Sequence, residues 1–255
     1  MSALVARALE RELLVYVRTW RGYAFSSLVQ PLLFLGAMGI GLGGLVDRGP
    51  EGAGGLDYVV FVTPGLLAAS ALMTAGAESL WPVMGGVKWM GQFNSMVATA
   101  MTPGDVYGGL VLAAAVRALV SATAFLAVAA ALGGTQSWWT PLAVVPPVLL
   151  AAATCAVLAA FSVVQQTDNS FPLVMRLGII PLFLFSGTFF PIDQLPDALE
   201  ALVWVSPLWH AVEPARDLTT GGPDLGTLLH LLVLVAIAAI ALPVGIRNFA
   251  KRLTP

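Results

Sequence analysis

Charge is scarce in this chain of 255 residues: Asp, Glu, Lys and Arg together make up 10%, against roughly 25% in soluble domains. Its 12 basic and 14 acidic residues give a net charge of −2. Without a basic run, this balance excludes a nucleic-acid binder. There is one cysteine, Cys155, in an apolar run. It permits neither an internal disulfide nor a cysteine metal site, and it reads as a small packing residue. The two histidines, His210 and His230, are separated by turn-breaking sequence and fall in different elements, so no metal site is expected from them. G-x-x-x-x-G-K-S/T is missing, which excludes nucleotide hydrolysis by a P-loop. H-E-x-x-H and G-x-S-x-G are missing too. No residue presents itself as catalytic.

Apolar residues, by contrast, make up 58% of the chain, and its mean hydropathy is +0.87. A soluble fold cannot hide so much apolar surface, and lipid is the solvent that fits. A bilayer core of about 30 Å needs about 20 apolar residues as a helix. Six segments meet or approach this: residues 24–45, 58–77, 106–132, 142–164, 173–190 and 225–246. The expected fold is therefore all-α and polytopic, with 1–255 forming one transmembrane domain. All seven tryptophans fall at span ends or in connections, where indole rings favour the headgroup level. The charges among residues 1–23 argue against a cleavable signal peptide.

Cation placement gives an orientation. With six spans, Arg7, Arg11, Arg18, Arg21, Lys88, Arg176, Arg247, Lys251 and Arg252 share one side, and Arg48 and Arg216 lie on the other. The positive-inside rule puts the first group, and both termini, in the cytoplasm. The last outer connection is acid-rich, carrying Asp193, Asp197, Glu200, Glu213, Asp217 and Asp224. Asp193 and Asp197 lie four apart, but Pro196 between them breaks any shared helical face, so they read as a solvated loop.

Two connections are more than turns. In residues 1–23, Val5, Leu9, Leu13, Tyr16 and Trp20 recur at helical spacing opposite a charged stripe. This predicts an amphipathic helix lying along the inner membrane surface, with a solvated cytoplasmic helix as the alternative. Between spans five and six, residues 190–224 contain five prolines yet an apolar series from Leu195 to Trp209. Short helices dipping back into the outer leaflet are expected there, where protein or water satisfies the broken backbone. In span one, Gly36, Gly39, Gly41, Gly43 and Gly44 cluster, the small-residue pattern of close helix contact.

The span interiors hold no Asp or Glu on these boundaries, and Glu78 stands at the inner end of span two. This disfavours an ion-coupled secondary transporter, which places carboxylates in the membrane. Arg117 is the one charge deep in a span. It is a candidate for contacting substrate, or for pairing with Glu78 or a backbone carbonyl. Residues 87–100 predict a short inner helix whose apolar face (Trp89, Phe93, Met96, Val97) suits a partner's groove, or simply the membrane interface.

The run from Pro181 through Ser186-Gly187-Thr188-Phe189-Phe190-Pro191 to Pro196 is followed by Ser206-Pro207-Leu208-Trp209-His210-Ala211-Val212 and Arg216. Pro64-Gly65-Leu66-Leu67-Ala68 and Lys88-Trp89, leading to Thr102-Pro103-Gly104-Asp105, add to them. Together these motifs resemble the permeases of type 2 ABC exporters, in the branch with nodulation lipo-oligosaccharide, polysaccharide and drug exporters. The resemblance covers nearly the whole chain. It implies a membrane permease that pairs with a second permease and is driven by two copies of a cytosolic ATPase, which hold the ATP and magnesium. No cofactor is expected in this chain. Carried over, the ATPase-coupling segment is Lys88, Trp89, Gln92, Phe93 and Met96, with Arg11 and Glu12 as neighbours. Phe189, Phe190, Pro191, Leu195, Pro207 and His210 belong to outer re-entrant helices that close the path. Trp81-Pro82 departs from the pattern and is expected to bend the approach to the coupling helix. The substrate would be amphipathic: a drug, a lipid or a glycan-linked molecule. Spans one, two and five are expected to line its path across the cytoplasmic membrane. The competing readings are the ion-coupled transporter and a membrane-embedded enzyme or assembly factor.

Overall fold

The structure, a computed structural model, describes residues 3–25, 29, 33, 35–42, 56–192, 196 and 203–254. Among them the regular structure is helical. We label the helices α1 (Ala3–Arg18), α2 (Trp20–Ala24), α3 (Tyr58–Lys88), α4 (Gln92–Val97), α5 (Pro103–Ala131), α6 (Val145–Ser162), α7 (Phe171–Phe185), α8 (Trp209–Thr220) and α9 (Leu225–Leu253). α3, α5, α9 and α6 with its leading turn, Thr140–Ser162, are each long and apolar enough to cross a membrane; α7 is apolar but shorter. The chain is thus a multi-pass membrane protein. Residues 26–28, 30–32, 34 and 43–45 of the expected first span lie outside the described residues. Its described piece, Leu35–Leu42, is π-helical, and Leu35 is buried against the start of α3.

Local chemistry sets several ends. Thr102 and Asp105 form a reciprocal capping box: the Asp105 amide donates to Thr102 Oγ1 at 3.2 Å, and the Thr102 amide donates to Asp105 Oδ2 at 2.9 Å. With Pro103 at the first turn, this starts α5 three residues before Val106. A second box, Asp224 with Thr227, starts α9. α3 runs past its expected end near residue 77, through Pro64 and Pro82, to Lys88. Each proline removes one backbone donor. The Ser162 hydroxyl of α6 donates to Leu80 O at 2.7 Å in the turn above Pro82. Trp81-Pro82 therefore sits inside a continuous helix. α7 ends at Phe185, five residues before the expected end of span five, and contains a π-helical segment, Val174–Ile179.

Helices in lipid gain little from hiding apolar surface from water, so close packing of small residues has to hold them. α6 is the centre of the bundle. Its Ala151, Ala153, Ala156, Ala159 and Ala160 are buried where α3, α5 and α9 converge. Tyr107 of α5 lies over Gly245 of α9, where a Cβ would stand 2.1 Å from the ring, and its hydroxyl donates to Ala156 O at 2.7 Å. By contrast, Gly36 and Gly41 of the expected first span have nothing among the described residues within 4 Å of a Cβ. Gly43 and Gly44 lie outside the described residues.

α1 packs lengthwise on α5, where the sequence pattern predicts a helix along the membrane surface. Val5 faces Gly108, Ala8 sits where a Cβ on Gly109 would come within 2.5 Å, and Tyr16 reaches Ser121. Paired positions advance together along both helices, so α1 climbs beside the span. Gly108 and Gly109, unremarked in the sequence pattern, make the approach possible.

Candidate coupling and gating sites

At the end of the bundle holding Lys88, Arg247 and Lys251, α3 passes into α4 through Gly91, whose φ of 61° suits glycine. The expected helix over 87–100 is thereby divided: Val87 and Lys88 end α3, and the separate helix is only Gln92–Val97. The division sorts the expected coupling residues. Phe93 is 1% exposed. It lies over Gly86 and against Phe249, 6.2 Å between ring centroids, so it anchors α4 rather than presenting it. Met96 packs partly into the same core. Trp89 is 65% exposed and its neighbour Met90 64%, and Asn94 and Ser95 are exposed beside them. Arg11 pairs with Glu12 and donates to Gln92 Oε1, tying α1 to α4. Lys88 donates to the Gln166 carbonyl. The seven expected residues thus share one end: Trp89 and Lys88 are exposed, Phe93 is buried, and Arg11, Glu12, Gln92 and Met96 lie between the exposed face and the core. Met90 and Asn94, missed in the sequence, complete the exposed face.

In the body of the bundle, Arg117 Nε lies 2.8 Å from Glu78 Oε2, with side chains 12% and 14% exposed. The sequence allowed this pairing but placed Glu78 at a span end in reach of water. Because α3 continues to Lys88, Glu78 lies about 15 Å inside that end at about 1.5 Å per residue. A carboxylate therefore does enter a span, against the expectation of none, and an arginine neutralises it. Tyr16 and Glu12 of α1 lie in the field of the pair.

At the opposite end, the Pro64–Ala68 motif and the two C-terminal motifs come together. Ser186 Oγ and Ser206 Oγ are 2.6 Å apart and buried. Gly187, at φ 73°, turns the chain back after α7. Thr188 then crosses Gly65 of α3 so closely that a Cβ there would stand 2.7 Å from the Thr188 Cα. The Tyr58 hydroxyl donates to Phe189 O at 3.3 Å. Arg216 of α8 donates through Nη2 to Gly187 O at 2.6 Å, pairs with Glu213, and lies 4.4 Å from the centroid of the Phe61 ring. Burial pulls its guanidinium below the usual arginine range, and Glu213 opposes that shift. Arg216 Nε, Thr188 Oγ1 and Trp209 Nε1 are buried without a hydrogen-bond partner among the described residues. Unmet buried donors are costly, so water or residues outside the described set are needed to satisfy them.

His210 and His230, expected to stay apart, meet across α8 and α9 with Nδ1 atoms 2.7 Å apart. Trp209 stands edge-on to His230 at 4.7 Å, and Trp204 O lies 3.1 Å from His210 Nε2. Burial and the neighbouring imidazole hold His210 below its ordinary pKa of 6.5. Pro207 precedes α8, which continues through Pro214. Of the expected outer residues, Leu195 lies outside the described residues, as do most of the positions between Pro191 and Val203. Arg216, Gly187 and Gly65 stand in the motifs that carry the resemblance but were not named as site residues; their place in those motifs, and an isolated arginine in an acid-rich connection, were the available signals.

The profile of the ABC-2 type transporter family matches residues 4–219. Among curated proteins, the chain is similar to nodulation protein J of Rhizobium meliloti, at 28% identity over 92% of this chain and 90% of the relative. The relative of that name from Sinorhizobium fredii is 31% identical over 92% and 89% of the two chains. That from Neorhizobium galegae is 28% identical over the whole of both.

Proposed function

The chain belongs to the ABC-2 type transporter family, and from that premise we propose that it exports an amphipathic molecule across the cytoplasmic membrane, driven by a separate ATPase. Its amphipathic substrate would be a lipid, a glycan-linked molecule or a drug; the relatives' name, nodulation protein J, favours the glycan-linked class. Two ATPase copies would hold the ATP and magnesium in the cytosol, and a second permease subunit would complete the path. Both termini would face the cytoplasm, on the side with nine of the twelve cations.

One observation carries the mechanism: the structure has an exposed apolar face at one end and, among the described residues, a junction with unpaired buried donors at the other, joined by continuous α3. The ATPase would grip Trp89, Met90 and the exposed side of α4, held by Arg11, Glu12 and Gln92. Phe93 and Phe249 would transmit movement of α4 into the bundle as a packed unit. At the far end, α3 meets the Ser186–Phe189 turn at Gly65, so displacement of α3 would move the turn. The donors left unmet there would gain partners in the other state, which lowers the cost of opening. Phe189, Phe190, Pro191, Pro207 and His210 would belong to this outer closure, and Glu78 with Arg117 would brace the path between.

Copurification tests the grip. Trp89→Asp with Asn94→Arg changes exposed groups only, and is expected to abolish recovery of the ATPase while the permease stays folded. Undiminished recovery would contradict this coupling face. Phe93→Asp is unsuitable, since it places a charge in the core.

A further inference from the structure

A groove of about 480 Å³ runs between α6 and α9, lined by Val157, Ala160, Phe161 and Val164 on one wall and by Ile237, Ile240, Val244 and Asn248 on the other. We propose that it binds one acyl chain of an acidic phospholipid, with the phosphate headgroup held by Lys251 and Arg252. This rests on the chain's being membrane-embedded and not on the export reading.

Three observations select that ligand. The lining is apolar along its length, and Val157, Ile240 and Val244 are 43%, 72% and 48% exposed; it opens outward. From Ile237 to Asn248 it spans about 16 Å of helix, close to the half-thickness of a hydrocarbon core of about 30 Å. The groove thus matches one leaflet's acyl depth. At Asn248 it stops being apolar. The Asn248 amide donates to Ala160 O at 2.9 Å and closes the floor. The same i, i+3, i+4 stripe then continues into Lys251 and Arg252, the cations of the last turn of α9. Lys251 is exposed and Arg252 partly exposed one turn beyond Asn248, and an ammonium and a guanidinium there suit the oxygens of a phosphate. A zwitterionic lipid would fill the slot but bring a choline or ethanolamine cation toward the same end.

The test is native mass spectrometry of the full-length protein in detergent, titrated with dioleoylphosphatidylglycerol or dioleoylphosphatidylcholine. The first is expected to bind with one copy per chain at low occupancy, ahead of the second. Two cations near a headgroup predict a preference of roughly twenty-five-fold at low salt, from about fivefold for each. Lys251→Gln with Arg252→Gln should reduce binding of the acidic lipid to the level of the zwitterionic one. Val244→Trp, which fills the slot from an exposed wall, should lower binding of both lipids with the thermal transition unchanged. Equal affinity for the two lipids would overturn the proposal, as would a double glutamine variant that keeps the preference or a tryptophan variant that keeps the binding. None of these outcomes bears on whether an ATPase drives the chain.

Discussion

Arg117 and Glu78 are each other's counter-ion inside the helix bundle, so neither is free to be changed alone. Removing one partner of a buried pair leaves an uncompensated charge, at a cost of about 3–5 kcal/mol, whereas replacing both with apolar groups is often neutral. Arg117→Met alone is therefore expected to lower the detergent melting temperature markedly, and Arg117→Met with Glu78→Leu to restore most of it. If the double variant melts no higher than the single, the pair is not what stabilises this region. His210 and His230 give a pH signature. With facing nitrogens 2.7 Å apart, one imidazole must donate and the other accept, so both cannot be charged. His210 is held below 6.5 in the docked state, so the undocked state binds more protons, and stability is lost as pH falls through that region. Asp217 faces His230 and is raised from 3.8 by burial, which acts with the opposite sign nearer the carboxylate range. Glu213, Arg216 and Asp224 complete the charges around α8 and the start of α9. Melting curves between pH 8 and pH 5.5 are expected to fall for the native chain and to flatten for His230→Gln. Parallel falls in both would remove the histidines from the account.

The element on which the proposed coupling surface depends is the turn at Gly91. A side chain at φ 61° costs about 1–2 kcal/mol. Gly91→Ala should therefore tilt or loosen α4 and weaken ATPase recovery by several-fold, with the protein still inserted; recovery equal to the native chain would show that α4 needs no fixed geometry. Helix ends of this kind separate what the sequence disclosed from what it hid. Thr102-Pro103-Gly104-Asp105 announced a boundary because a capping box is local chemistry. Leu225 to Ile246 announced a span because lipid-facing helices need apolar residues all along. The far end of α3 was hidden: Glu78, Trp81 and Pro82 look like an interface, but Arg117 neutralises the first, Phe171 packs edge-on to the second at 5.4 Å, and Ser162 supports the turn of the third. All three partners are distant in the chain. Phe93 was misplaced for a related reason. Its helical spacing with Trp89 assumed one helix, and the left-handed glycine between them turns the two side chains in different directions. The lengthwise docking of α1 depended on Gly108 and Gly109 meeting Ala8, a contact with no periodic signal of its own.

On the scale of the whole molecule, the sequence carried the class of protein, and the structure adds how its two ends are connected. The family motifs looked scattered along the chain because they come from α3, the turn after α7, and α8; folding brings Gly65, Ser186–Phe189, Ser206 and Arg216 to one junction. The exposed face at Trp89 and Met90 lies at the opposite end of the same α3. α3 runs continuously between them, and the proposed mechanism predicts that work done on one end appears at the other. The most direct measurement is transport in proteoliposomes holding this permease, with and without its ATPase, using a fluorescent amphipathic glycolipid. Movement is expected only with the ATPase and ATP, and is expected to be lost in Trp89→Asp with Asn94→Arg. Transport by the permease alone under a proton or sodium gradient would contradict the account.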